Sequence, residues 1–452
     1  MPFLCQINLL VLFTFLKYIQ PAHYFSLRRK DGSFIFPKYD ALPPEIIKQL
    51  DWDENYQSTI SAQFDISYQA VKRGHIGDEE TYGLVQELPI ADEYRFIKKY
   101  FHPVWAHYVL LLRLLSFKNP FKEFSGWRKA RAVKKVAYMD YSLEHKDWAN
   151  FNSRLVADRP LVSIVIPTLN RYPYMVDILK DFEKQTYTNF EVVVVDQSQP
   201  YQKEFYEEYK LTINLVQQEE PALWLARNTA VKLAKGAIIM LSEDDVRIEP
   251  DWIENHLKCL DFFNAKISAG VFFPEGSSIP KDRSFFATAA QFATGNAALY
   301  KDVFKEIGLF DRQFERQRMG DGEFGMRAFM HGVKSVSTPY ACCIDVKAPS
   351  GGLRQMGSWD AFRPKKWFAP RPIPSVLYLF RRYFGTKRTY LTLLKTIPPS
   401  IIPYKFKKNR KMMLLGIFVS MFLLPIICIQ VIISWNKASN KINEGPLISE
   451  LD

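Results

Sequence analysis

Four apolar runs in the middle of the chain predict its architecture. LVSIVIP (Leu161–Pro167), FEVVVVD (Phe190–Asp196) and AIIML (Ala237–Leu241) are continuous hydrophobic stretches, and TINLVQQ (Thr212–Gln218) is a weaker one. Uninterrupted apolar runs of this length belong to strands covered on both faces. Between them the spacing turns helical, over Tyr174–Lys184, Gln202–Tyr209 and Ala222–Ala234. Strands alternating with helices predict βαβ units, hence an α/β fold around a Rossmann-like, mostly parallel sheet. Before Pro160 the texture differs: residues 1–159 are aromatic-rich, irregular and without a readable motif.

Three further apolar segments lie outside this alternation. Met412–Trp435 runs for twenty-four residues without a charged side chain. That exceeds the roughly 20 residues a helix needs to cross a bilayer, and transmembrane helices tolerate a proline such as Pro425. Five of the seven residues from Lys405 to Lys411 are basic, whereas the tail beyond the segment holds only Lys437 and Lys441. The positive-inside rule then predicts a single-pass membrane protein with the bulk of the chain cytoplasmic and its tail across the membrane. A buried core helix is the alternative, disfavoured because the segment has no polar face. Phe3–Leu16 is too short to span and lacks the pattern of a secretory signal. Val104–Phe117, followed by a basic stretch, reads equally as an interfacial helix or a core helix. The expected organisation is an N-terminal accessory region (1–159), an α/β domain (160–355), a basic membrane-interface segment (356–411), a transmembrane helix (412–435) and a short tail (436–452).

Charge sharpens this picture. The net charge of +12 is local: Asp360–Lys411 holds fourteen Lys/Arg against one acid, which leaves the rest close to neutral. Such a tract suits an anionic lipid surface or nucleic acid; no nucleic-acid fold motif accompanies it, so the membrane is the expected partner. Apolar residues at 48% exclude a disordered chain, and five cysteines without metal-ligand spacing point to a reducing compartment.

The candidate chemistry sits where the strands end. In a parallel sheet, ligands bind beyond the carboxyl ends of the strands. Pro167, Thr168, Asn170 and Arg171 follow the first run, Asp196 and Ser198 the second, and Glu243, Asp244 and Asp245 the fourth. Clustered carboxylates at a strand end suit Mg2+ or Mn2+ held together with a substrate's phosphates. A solvated acidic loop is the bland alternative, and the coincidence of three polar clusters on one sheet edge favours a site.

VSIVIPTLNR, VVVVDQS, LARNTAVKLAKG and LSEDDV, in this order and spacing, resemble the inverting family-2 glycosyltransferases with a GT-A fold. The resemblance covers about residues 160–355. It implies that Pro167, Thr168, Asn170 and Asp196 hold the nucleobase and that Arg227 approaches the nucleotide. It also implies that Glu243 faces the ribose or sugar and that Asp245 ligates the metal, while Asp244 stays a substrate-binding candidate with no assigned role. TGNAALY (Thr294–Tyr300) resembles the acceptor-side segment and brings in Asn296. GDGEFGMRAFMHG (Gly320–Gly332) resembles the signature that carries the catalytic base, which implies Asp321 as base with Glu323 and Arg327 in support. Carboxylates at a helix start are also stabilised by exposed N–H groups, so an ordinary helix-end charge is the alternative.

Two positions depart from the family pattern. Gly320 stands where glutamate is usual, and Asp345 stands where a late histidine often completes the metal shell. Asp345 is a competent hard ligand or a turn residue. Arg354, after Gly351 and Gly352, either closes over a diphosphate or belongs to a plain turn. The implied reaction is a single displacement: Asp321 takes the acceptor's proton and a divalent cation neutralises the leaving nucleoside diphosphate. The implied partners are a nucleotide-sugar donor and a glycan or lipid-linked acceptor, in cell-surface polysaccharide or glycolipid assembly. The competing reading is a non-catalytic, nucleotide-sugar-binding membrane scaffold.

Overall fold

The computed structural model describes residues 16–83, 86–290, 292–346, 348, 352, 360–364 and 366–451. Most of the expected Phe3–Leu16 helix, and Gly351 and Arg354, lie outside the described residues. The chain forms two compact units. The first comprises Met1–Lys146, Phe285–Thr288 and Phe384–Thr392; the second comprises Asp147–Ser284, Ala289–Tyr383 and Leu393–Asp452.

Within the first unit, helices Thr59–Lys72, Ile90–Tyr100, Val104–Leu115 and Pro120–Lys129 surround aromatic rings and buried ion pairs. Asp65 is fully buried and accepts from Lys99 and from the Tyr100 hydroxyl. Arg113 is likewise buried, pairing with Glu93 and, at 3.3 Å, with Glu123, to which Tyr94 also donates at 2.8 Å. A charge held this way is costly to strip of its partner, so these networks fix how the helices meet. The two-residue strand β7 (Ala287–Thr288) also belongs to this unit.

The second unit is built on a mixed sheet. Its strands are β1 (Val162–Thr168), β2 (Phe190–Asp196), β3 (Ile213–Gln217), β4 (Ile238–Ser242), β5 (Val246–Ile248), β6 (Ile267–Pro274), β8 (Asn296–Tyr300) and β9 (Ser335–Asp345). They lie in the order β3-β2-β1-β4-β8-β6-β9-β5. The predicted runs form the parallel half, β3-β2-β1-β4, with every residue of β1 and β4 buried. Beyond β4 the direction alternates: β8 is antiparallel to both neighbours, β6 and β9 are parallel, and β5 is antiparallel to β9. Gly236 permits the β1–β4 contact, because a Cβ there would lie 2.6 Å from the Leu161 carbonyl oxygen. Helices Tyr172–Glu183 and Leu223–Leu233 match two of the three expected ones. The third, over Gln202–Tyr209, is only a 3₁₀ turn at Glu204–Glu208, held by the Tyr206 hydroxyl on Asp196 at 2.9 Å.

The single straight span expected over Met412–Trp435 is corrected. The segment forms two helices, Arg410–Phe422 and Leu424–Glu444, bent by 84° at Leu423, and no single described helix is long and apolar enough to cross a membrane. Pro425 sits in the first turn of the second helix, where a missing N–H costs nothing, so it starts a new helix instead of lying inside a long one. The tail returns to the second unit. Leu309 N–H donates to the Ser449 carbonyl at 2.9 Å, Arg312 N–H donates to the Leu447 carbonyl at 3.1 Å, and Leu447 N–H donates to Asp311 Oδ1 at 2.9 Å. The second helix is also fastened midway: Gln430 donates to the Trp367 carbonyl at 2.7 Å, and Ser434 donates to the Pro372 carbonyl.

Candidate functional site

The parallel register brings the ends of β1, β2 and β3 level, with Thr168 beside Asp196 and Asp196 beside Gln217. After β1 the chain turns through Asn170, which takes a left-handed φ of 54°. Asparagine is one of the few side chains suited to that conformation. Its Oδ1 accepts from Gln199 N–H at 2.9 Å and its N–H donates to Ser198 Oγ at 2.7 Å, so the β1 and β2 loops hold one another. Pro167 and Thr168 are buried at the strand end, and Thr168 Oγ1 donates to Asp244 Oδ2 at 2.8 Å.

The acidic motif after β4 is internally neutralised. Arg171 Nη1 lies 2.9 Å from Asp244 Oδ1 and 3.0 Å from Asp245 Oδ2, clamping both carboxylates. Burial raises Asp244 to about 6 even though Arg171 pulls the other way. The Arg171 guanidinium is raised by the same two acids against its own desolvation. Gly352 lies against it: a Cβ there would come within 2.4 Å of Arg171 Cζ, and Gly352 N–H donates to the Leu169 carbonyl at 2.8 Å. Beyond the acids, Arg247 grips Asp181 with two bonds of 2.7 and 2.9 Å, which fixes β5 to the helix Tyr172–Glu183.

Several of the expected ligand residues are buried and already hold partners within the fold. Asp196 is fully buried; its Oδ1 accepts from Ser198 N–H at 2.8 Å and its Oδ2 from Tyr172 at 2.7 Å and Tyr206 at 2.9 Å. Burial and then the bond to Asp196 push the Tyr172 phenol up to about 12. The two tyrosines thus share one carboxylate oxygen, and the other oxygen holds a single backbone N–H. Arg227, 1% exposed, lies behind Glu243, with Nη2 4.0 Å from Oε1. Asn296 is fully buried and has spent its amide: Oδ1 accepts from Trp252 Nε1 and meets His256 Nε2, each at 2.9 Å, while Nδ2 donates to the Val271 and Ala341 carbonyls. It secures the core beneath β8. Glu323 is fully buried too, accepting from Arg327 Nε and Nη2 at 3.0 Å and from the Tyr383 hydroxyl at 2.5 Å. Arg327 then donates to the carbonyls of Ile307, Gly308 and Leu309, so this pair braces the helix Gly320–Met330.

Asp321 differs from Glu323. It is half-buried at the start of that helix, with Oδ1 accepting from Gly322 N–H at 2.8 Å. The departure at Gly320 has a steric cause: a Cβ there would lie 2.3 Å from Cζ2 and 2.4 Å from Cε2 of Trp224, whose indole fills the space. Trp224 is fixed by Nε1 donating to the Phe314 carbonyl at 3.1 Å, and Glu315 caps the start of its helix by accepting from the Trp224 and Leu225 N–H groups at 3.2 and 2.7 Å. Helix Leu223–Leu233 therefore touches both parts of the site, with Trp224 against Gly320 and Arg227 behind Glu243. Sequence reasoning missed Trp224, Glu315, Tyr172, Tyr206 and Tyr383. Their only signals are an aromatic or acid near a motif, which many unrelated positions share.

The donor chemistry fits a hard dication, since Glu243 (side chain 21% exposed) and Asp245 offer carboxylate oxygens at the sheet edge. Asp345 lies opposite Val246 in the β5–β9 pairing, one residue along from Asp245. Among the described residues, however, no three His, Cys, Asp or Glu side chains gather as a metal-binding group. A dication here would draw most of its ligands from phosphate and water, as Mg2+ commonly does, and would take Asp245 from Arg171.

Residues 163–304 match the family described as "Glycosyl transferase family 2". Asp321 and Asp345 lie beyond the matched stretch. The chain is 28% identical over 170 residues to glycosyltransferase GlyA of Streptococcus pneumoniae, covering 36% of this chain and 23% of that protein. It is 29% identical over 184 residues to glycosyltransferase YwdF of Bacillus subtilis, covering 37% and 67%. With chondroitin synthase of Escherichia coli it shares 30% over 128 residues, covering 27% and 18%. The match thus spans less than a quarter of GlyA and of the chondroitin synthase. Among solved structures, a mannosyltransferase from Pyrobaculum calidifontis in complex with GDP-Man and Mn2+ superposes with a TM-score of 0.41 at 19% identity, covering 66% of this chain and 91% of that one. TarS 1–349 of S. aureus in complex with UDP-GlcNAc superposes at 0.39 and 17%, covering 63% and 92%.

Proposed function

From a chain that carries a family-2 glycosyltransferase domain of mixed α/β, GT-A-like fold, we propose an enzyme that transfers a sugar from a nucleotide-diphosphate donor to a hydroxyl acceptor with inversion. One observation carries the reading. A single helix, Leu223–Leu233, packs Trp224 against the start of the Asp321 helix and sets Arg227 behind Glu243, tying a proton acceptor to an acidic strand end. Asp321 is the general base, its carboxylate steadied by Gly322 N–H while the acceptor oxygen attacks the anomeric carbon. Thr168 and Arg171 orient the acids, and Glu243 faces the donor sugar. Asp245, with Asp345 as its neighbour in register, would hold Mg2+ or Mn2+. Such an ion, when bound, neutralises the leaving diphosphate. Two relatives in complexes with GDP-Man and UDP-GlcNAc support a nucleotide-sugar donor. The acceptor is a glycan or lipid-linked sugar.

Residues 360–411 and the bent helix pair dock the enzyme on an anionic membrane surface from one side, without taking the tail across. Leu414, Phe418, Met421, Phe422 and Leu424, all more than half exposed around the bend, support this. The test is diphosphate release and sugar transfer across a panel of nucleotide sugars with Mg2+ or Mn2+. Asp245→Ala and Asp321→Asn should each abolish transfer, the latter with donor binding intact. Full transfer by Asp321→Asn overturns the base assignment. Donor binding without turnover by the parent chain establishes the scaffold reading, which the indole in place of a family side chain at position 320 favours.

A further inference from the structure

The first unit carries a surface that neither its core nor glycosyl transfer explains. Helices Val104–Leu115 and Pro120–Lys129 form a hairpin whose inner face is buried through Ala106, Val109, Leu110 and Leu112. The outer face is apolar as well. Val104, Leu111 and Leu115 form a stripe at helical spacing, 58%, 54% and 67% exposed. Phe117 at the tip is 98% exposed, and Phe121 and Phe124 on the second helix are 85% and 50% exposed. Hydrophobic groups contiguous on this scale mark an interaction surface. The tip is also strained: Phe117 takes a φ of 55°, which a bulky side chain rarely adopts, and it does so while aiming its ring into solvent. Strain kept at an exposed tip is a common mark of function.

Charge selects the partner. Between Lys118 and Lys135 lie seven exposed Lys and Arg side chains. The one acid from Val104 to Lys135 is Glu123, buried and occupied by Arg113 and Tyr94. A protein partner that is both apolar and acidic is uncommon. A bilayer of anionic phospholipid presents phosphate and carboxylate groups directly above an apolar layer. We propose that this hairpin is a monotopic membrane contact, with Phe117 and Phe121 inserted among the acyl chains and Lys118 and Lys122 bound to lipid headgroups. Long basic side chains next to inserted aromatics can reach back to the headgroups while their stems stay apolar. Each base near such a surface contributes to its attraction, and the effect fades within a Debye length. The contact is separate from the C-terminal helix pair and needs no catalytic activity.

The test uses the full chain with Cys5 and Cys428 replaced by serine and a bimane label at Phe117→Cys or Phe121→Cys. Both positions are exposed, so labelling leaves the core untouched. Exposed Glu45→Cys in the same unit is the control. Vesicles contain 30% phosphatidylserine in phosphatidylcholine, or phosphatidylcholine alone, with nitroxides at known acyl depths. The expected result is a blue shift with quenching by shallow acyl nitroxides at 117 and 121, none at 45, and a loss of the signal in Lys118→Gln/Lys122→Gln or at high salt. Labels at 117 and 121 that stay unquenched on protein cosedimenting with the vesicles overturn the proposal. So does a lipid-independent blue shift that follows protein concentration, which would make the face a contact between copies of the chain.

Discussion

Adding one methyl group at Gly320 probes the packing that joins the two halves of the candidate site. The Cβ of Gly320→Ala would lie 2.3 Å and 2.4 Å from two indole carbons of Trp224. Carbon atoms rest at about 3.5–4.0 Å, so the shortfall exceeds about 1 Å. The indole cannot swing away cheaply, being 4% exposed and tied through Nε1 to Phe314. Overpacking of this kind costs about 1–3 kcal/mol. Alanine's better helix propensity applies to helix interiors and is largely forfeited at Gly320, the first helical residue, which leaves the loss at about 1–3 kcal/mol. At about 2–4 °C per kcal/mol for a domain of some two hundred residues, melting should fall by about 2–12 °C. The assay is thermal unfolding of Gly320→Ala, Trp224→Phe and the double variant. Trp224→Phe removes the clashing atoms, so the double variant should show a favourable coupling of about 1 kcal/mol. Sugar transfer should fall in Gly320→Ala and partly return in the double variant, because Asp321 is the next residue. A Gly320→Ala chain as stable as its parent, or costs that simply add, refutes the steric reading.

Arg171→Gln frees Asp245 from a charge-assisted bond worth about 1.5–3 kcal/mol, so Mn2+ followed by electron paramagnetic resonance should bind about 10–100-fold more tightly; unchanged or weaker binding contradicts the competition. His256 is fully buried between Ser268 and Asn296, and burial lowers its imidazole to about 4. Unfolding raises it to the ordinary value near 6.5, so the unfolded state takes up the proton first as pH falls. Stability should drop between about pH 6.5 and 4, by up to about 3 kcal/mol, and His256→Gln should flatten that dependence in denaturation curves run at each pH. Glu323→Gln leaves the Arg327 guanidinium buried without its carboxylate, and thermal unfolding should show a loss of about 3–5 kcal/mol.

What the sequence made legible follows the physics of each element. Strands β1, β2 and β4 announce themselves because both their faces are buried and most of their residues are apolar. Strand β9 hides behind serine, threonine and Pro339, and its pairing with β6 shifts register between Gly270 and Val271. The acids at the sheet edge were readable as residue types, since three polar clusters follow apolar runs that end on one edge of the sheet. Their partners were not. The Arg171 clamp on Asp244 and Asp245 joins residues more than seventy positions apart, and the phenols on Asp196 depend on how a 3₁₀ turn folds back. Asn296 came in through the resemblance of its segment to a family motif, and a motif carries no sign that an amide is bonded within the core. For the C-terminal apolar segment, composition measures the length of the run but carries no sign of a bend at Leu423 or of a returning tail.

The return of the tail makes the bent helix pair a loop moored at both stems. One mooring is Gln430 and Ser434 on the Trp367–Pro372 stretch; the other is Leu447–Ser449 on Leu309–Arg312, next to the carbonyls that Arg327 holds. A moored loop moves only as far as its two stems allow. Any pull on it reaches the turn that supports the Asp321 helix. For handling the protein, this means a fusion partner at the C terminus loads that turn, and trimming the last few residues would loosen it.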